Sequence, residues 1–77
     1  MDIKLVDVTV HIDETLPKEK REEIEGKLRG IDGVVSVSIH DEKPHLMVVE
    51  YNPDRTHSHA ILDTVTETGV HAELVGL

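Results

Sequence analysis

Valine or isoleucine holds every second position from Val6 to Ile12, and Asp7, Thr9, His11 and Asp13 fill the places between and after them. A period of two is the pattern of a half-buried strand, with one apolar face and one polar face. The apolar face needs a covering layer, and the chain has 77 residues from which to make one. That length suits a single domain with one modest core and little stability in reserve. There is no Trp or Phe and only one Tyr. The core must therefore be built from Val, Ile and Leu.

The covering layer is legible downstream. In ETLPKEKREEIEGKLRG, Ile24, Leu28 and Ile31 fall at helical spacing, and Leu16 extends the stripe. Thr15 is the expected N-cap, with Pro17 in the first turn. Asp13, Glu14 and Glu19 lie where the positive end of the helix dipole favours acids. Glu23 with Lys27, and Glu25 with Arg29, are acid-before-base pairs four apart, worth about 0.2–0.5 kcal/mol each. Gly30 and Gly33 bracket the exit. The segment GVVSVSIHDEKPHLMVVEY then reads as a hairpin, with strands Val34 to His40 and His45 to Tyr51. Its turn is DEKP, and Pro44 marks the end of that turn. NPDRT is a loop. A second helix covers Ser58 to Thr68 with Ile61, Leu62 and Val65 inward. Its threonines are poor helix formers, so packing must hold it. Gly69 stops it, Thr56 or Ser58 is placed to cap it, and VHAELVGL alternates once more as a last strand.

The order is β-α-β-β-α-β. Right-handed crossovers turn two interleaved strand–helix–strand halves into an α+β, ferredoxin-like fold. The expectation is a four-stranded antiparallel sheet in the order 4-1-3-2, two helices on one face and the other face open. No linker or low-complexity segment divides residues 1–77, which read as a single domain.

Bulk properties exclude several functions. The formal net charge is −8 with histidine neutral, so nucleic acid is not an expected partner, whereas cations and basic protein patches are. There is no cysteine, hence no disulfide and no thiolate site. No signal peptide or membrane-length apolar run is legible, which makes the cytoplasm the expected location and membrane insertion unexpected. Catalysis has no support either. Ser36 and Ser38 lack a nucleophile-elbow context, the carboxylates lie mostly on a helix face, and no glycine-rich phosphate loop occurs.

Three stretches carry a resemblance. IEGKLRGIDGVVSVSI, VVEYNPD and ILDTVTETGVHAEL resemble the heavy-metal-associated domain of copper chaperones and metal-pumping ATPases. In that family an I-E-x-x-L helix leads to a Gly-Val strand start. A strand ending V-x-Y-N-P or V-x-Y-D-P follows, and a glycine closes the second helix. Ile24, Glu25, Leu28, Gly33, Val34, Val37, Val49, Tyr51, Asn52, Pro53, Ile61 and Gly69 match, and the resemblance covers essentially the whole chain. It implies the fold above and a role in metal handling, with a metal-transporting protein as partner. The family's metal loop is M-x-C-x-x-C. Here Thr15 stands for the methionine, Pro17 for the first cysteine and Lys20 for the second. Val70 replaces the aromatic after the glycine. Proline has no donor atom and an ammonium repels a cation, so a thiolate Cu(I) site is not expected in this loop.

Any ion would then be held by nitrogen and oxygen. Six histidines are many for this length. His11 and His71 lie on the outward phase of strands expected to be neighbours. If the register pairs them, their Cβ atoms stand about 5 Å apart. Such a pair can chelate Zn, Ni or Cu(II), with Asp13 or Glu73 as a third ligand. His40, Asp41, Glu42 and His45 form a second cluster across the hairpin. His57 and His59 open the second helix, with Asp63 one turn beyond His59. The open face also offers Leu46, Val48 and Val75, with Thr9, as an interface for a homodimer or another domain. Two readings stand side by side: a domain that binds a divalent metal through imidazole and carboxylate, and a metal-free interaction module on the same scaffold.

Overall fold

The computed structural model describes residues 4–40 and 42–75. Its elements follow the order β1 (Val6–Ile12), α1 (Lys18–Arg29), β2 (Val34–His40), β3 (Lys43–Tyr51), α2 (Ser58–Thr66) and β4 (Ala72–Val75). The four strands form one antiparallel sheet in the order β2-β3-β1-β4. This is the expected 4-1-3-2 arrangement read from the other edge, and the fold is ferredoxin-like.

Period two in the strands and period 3.6 in the helices point the aliphatic residues at a common layer. Val8, Val10 and Ile12 of β1, Val37 of β2 and Met47, Val49 and Tyr51 of β3 meet Ile24 and Leu28 of α1 and Ile61 and Val65 of α2 in one buried cluster. Both helices therefore cover the same sheet face. Burial of each large aliphatic side chain contributes about 1.5–3 kcal/mol. Leu16, Ile31 and Leu62 pack at the margin of that cluster.

Local details depart from the sequence reading in four places. Thr15 does not cap α1. The N-cap is Pro17, extended at ψ 160°, with no side-chain cap, and its carbonyl accepts the Lys20 and Arg21 amides. Burial of Leu16 against the core sets the start of the helix there and leaves Thr15 exposed. The cap of α2 is His57, whose Nδ1 accepts from the Ala60 amide at 3.2 Å, rather than Thr56 or Ser58. That helix ends at Thr66, two residues early, and Gly69 (φ +96°) turns the chain afterwards. Pro44 lies inside β3 instead of ending a turn. The register between β2 and β3 slips there, from Ile39↔Met47 to His40↔Lys43. A proline is tolerated at such an irregularity because the ladder asks no N–H of it.

On α1, Glu25 pairs with Arg29 at 2.9 Å, as its spacing suggests. Glu23 instead takes the Lys20 ammonium at 3.0 Å.

Candidate metal centre

The open face of the sheet carries the odd-numbered residues of β1. His11 sits there, next to the end of the strand. The β1–β4 register places Glu73 directly opposite it and Ala72 opposite Ile12. Asp13, one residue past the strand, shares the phase of His11, and its amide donates to the His71 carbonyl at 2.9 Å. Strand alternation and register thus bring three side chains to one point. His11 Nδ1 stands 2.8 Å from Glu73 Oε1 and 3.2 Å from Asp13 Oδ1. One ligand atom from each of the three residues lies within 4.8 Å of the others. All three remain open to solvent, with side chains 39–53% exposed.

Two carboxylates facing one imidazole nitrogen have two ways to satisfy their charge. A protonated Nδ1 donates to them, or a cation takes the proton's place and accepts the nitrogen lone pair with the oxygens. One nitrogen and two carboxylates suit a borderline divalent ion.

His45 comes to the same corner from β3. Its Nδ1 lies 2.7 Å from the Ile12 carbonyl. A carbonyl only accepts, so this nitrogen carries the proton and donates. The ring lies nearly parallel to His11, with centroids 5.9 Å apart and planes inclined by 18°.

The expected pairing of His11 with His71 does not form. His71 precedes β4, two residues short of the position opposite His11. Glu14 holds it: one carboxylate oxygen accepts from the His71 amide at 2.9 Å, and the other lies 2.8 Å from Nδ1. These hydrogen bonds hold the Glu14 carboxyl below its ordinary value and raise His71 above the usual histidine value. Glu14 thus ties the β1–α1 loop to the start of β4. His40 is exposed at the end of β2, opposite Lys43, and Asp41 lies outside the described residues. With His45 turned towards His11, the expected hairpin cluster is divided. His59 Nε2 lies 3.6 Å from Asp63 Oδ1, as its spacing implies.

The loop at the head of α1 is closed by the chain itself. Lys20 reaches the carbonyl of Thr68, just past α2, at 2.9 Å while holding Glu23. The ammonium keeps the Glu23 carboxyl below its ordinary value. Among the described residues, neither Thr15 nor Pro17 gives the helix start a side-chain cap. On the open face, Val48 and Val75 flank Thr9 in adjacent strands, and Leu46 lies opposite His11. Val75 is exposed, while Leu46 and Val48 are half-buried.

The residues that the sequence placed in separate groups are regrouped by register. A count along an antiparallel β1–β3 pair would have put His45 near Ile12. The slip beside Pro44 has no period in the sequence.

The architecture is that of a ferredoxin-like domain. The N-terminal domain of a potential copper-translocating P-type ATPase from Bacillus subtilis, solved in the Cu(I)-loaded state, superposes with a TM-score of 0.85 at 22% identity, over 95% of this chain and 90% of that one. Oxidized MerP from Ralstonia metallidurans gives 0.84 at 14% identity, over 95% and 100%. The yeast copper transporter domain Ccc2a gives 0.81 at 17% identity, over 91% and 94%. At these identities the likeness shows the fold. No protein-family model matches the chain, and neither does any curated protein. No helix among the described residues is long and apolar enough to cross a membrane.

Proposed function

We propose that this chain is a non-catalytic metal-handling domain that binds a divalent cation (Zn, Ni or Cu(II)) through imidazole and carboxylate, not Cu(I) through thiolates. The observation that carries the proposal is the convergence of His11, Asp13 and Glu73 within 4.8 Å. The fold shared with copper-binding domains of ATPases and with MerP supports the general role. The acidic surface favours cations in the same sense. The working location is the cytoplasm, and the partner is a metal-transporting protein that receives or supplies the ion.

An amide-resolved NMR titration with Zn²⁺ tests this. Saturable shifts at His11, Asp13 and Glu73 below millimolar metal, abolished by His11→Ala, are expected. Flat spectra at millimolar Zn²⁺, Ni²⁺ and Cu²⁺ would overturn it. Cu(I) binding at residues 15–20 would overturn the reading of the loop.

A second reading has its own observation. Lys20 occupies the loop with an internal cation and fastens it to the end of α2. That closure suits a metal-free interaction or dimerisation module, with Leu46, Val48 and Val75 at the contact. Sedimentation that depends on protein concentration, together with flat metal titrations, would favour it.

A further inference from the structure

Resting on the metal-binding reading of His11, Asp13 and Glu73, we infer that His45 supplies a second nitrogen to the same ion through Nε2, making a two-imidazole, two-carboxylate centre. Three features of the corner lead there.

The first is the tautomer. With Nδ1–H donated to the Ile12 carbonyl at 2.7 Å, a neutral His45 ring carries its free lone pair on Nε2. Metal-bound histidines commonly donate their other ring N–H to a backbone carbonyl, which fixes the ring's orientation and strengthens the ligand. That bond is already in place here, supplied by the strand that carries His11.

The second is distance. Zn–N bonds of about 2.0–2.1 Å, at angles near tetrahedral or wider, set two ligating rings roughly 5–6 Å apart between centroids. The His11 and His45 rings stand at 5.9 Å. His45 is not among the residues whose ligand atoms already converge within 4.8 Å, so the fourth bond requires the exposed His11, Asp13 and Glu73 side chains to shift towards it.

The third is the placement of the other imidazoles: His40 lies exposed at the end of β2, opposite Lys43. His71 is engaged by Glu14, His57 caps α2, and His59 faces Asp63. Among the described residues, His45 is the imidazole stacked beside the His11 cluster.

The donor set changes the selectivity. Two carboxylates and one nitrogen still admit harder ions, whereas a second imidazole moves the preference to Zn²⁺, Ni²⁺ and Cu²⁺ over Mg²⁺ and Ca²⁺. The four ligands come from β1, β3 and β4 and the residue after β1, so the ion would link three neighbouring strands at one end of the sheet.

The test uses Cu²⁺ as the probe, because its electron paramagnetic resonance spectrum counts coordinated nitrogens, and Zn²⁺ for affinity. His45→Asn is the informative variant. The asparagine amide nitrogen replaces Nδ1 as donor to Ile12 and leaves nothing in place of Nε2. The parent is expected to show two equivalent-strength imidazole nitrogens, and His45→Asn one, with Zn²⁺ affinity lower by roughly tenfold or more. Unchanged amide spectra of the metal-free variant will confirm that its fold is intact. If His45→Asn keeps the parent's nitrogen count and affinity while His11→Asn loses binding, the role of His45 is overturned and the three-residue site stands. If the parent binds neither ion, both fall together.

Discussion

Glu14 and His71 shift each other in opposite senses, and the shifts carry a dependence on pH. His71 is raised by its hydrogen bond and charge contact with Glu14. Its contribution is complete below the ordinary value of 6.5 and is lost as pH rises through the raised value. Glu14 is lowered, first by the His71 side chain and then by the His71 amide. Its contribution is complete above 4.5 and is lost as pH falls through the lowered value. The pair therefore supports the fold most between pH 4.5 and 6.5. In metal-free buffer, Glu14→Gln is expected to lower the His71 pKa towards its ordinary value by NMR titration. The difference in Tm from the parent should be largest inside that window and shrink on both sides. A difference independent of pH would show that the carboxylate acts only as a neutral acceptor. The sequence marked Glu14 as an acid near a helix start. It could not show that a residue fifty-seven positions away claims it.

At the scale of elements, β2 and the loop before α2 meet through a glycine. Gly33 has φ +105°, and a Cβ placed on it would stand 2.6 Å from Arg55 Cβ and 3.2 Å from Thr56 Cγ2. Its carbonyl accepts the Asn52 amide at 2.8 Å, so the loop cannot retreat without losing that bond. Gly33→Ala is expected to cost about 1–3 kcal/mol in urea unfolding, more than an alanine at Gly26, whose Cβ position has nothing within 4 Å. Equal effects at the two positions would remove the steric argument. Helices α1 and α2 are joined at one end by Lys20, through its bond to the Thr68 carbonyl. Lys20→Met keeps the aliphatic stem and removes the donor, so a loss of about 0.5–1.5 kcal/mol is expected. Amide exchange should quicken most around Thr68 and Gly69. Secondary structure itself was largely legible, because periods of two and 3.6 are written into the spacing of Val, Ile and Leu. The caps were not. Pro17 and His57 became caps through the burial of Leu16 and the turn of an imidazole, neither of which has a local signature.

For the whole molecule, the aliphatic core leaves a narrow margin. Leu28 and Ile24 are fully buried. Leu28→Ala is expected to cost about 2–5 kcal/mol by lost transfer energy and the cavity left behind. That is a large part of a total on the order of 5–15 kcal/mol. Calorimetry should show Tm lowered by about 4–8 °C per kcal/mol for a domain of this size. An ion bound only by the folded chain acts in the other direction. At a hundredfold excess over Kd it adds about 2.7 kcal/mol, which corresponds to a rise in Tm of roughly 10–20 °C. No rise with saturating Zn²⁺, alongside an unchanged NMR spectrum, would leave the metal-free module as the better account.

By itself the sequence determined the elements, their order, the aliphatic core and the want of any sulfur ligand at Pro17 and Lys20. Those properties depend on composition and on short periods, which neighbouring residues carry between them. The grouping of His11 with Asp13, Glu73 and His45, and the capture of His71 by Glu14, were decided by the tertiary structure alone. A period of two tells which face a side chain takes, but not which residue of another strand lies beside it. That pairing depends on register, and register is set by how distant segments pack and where a strand slips, as β3 does beside Pro44.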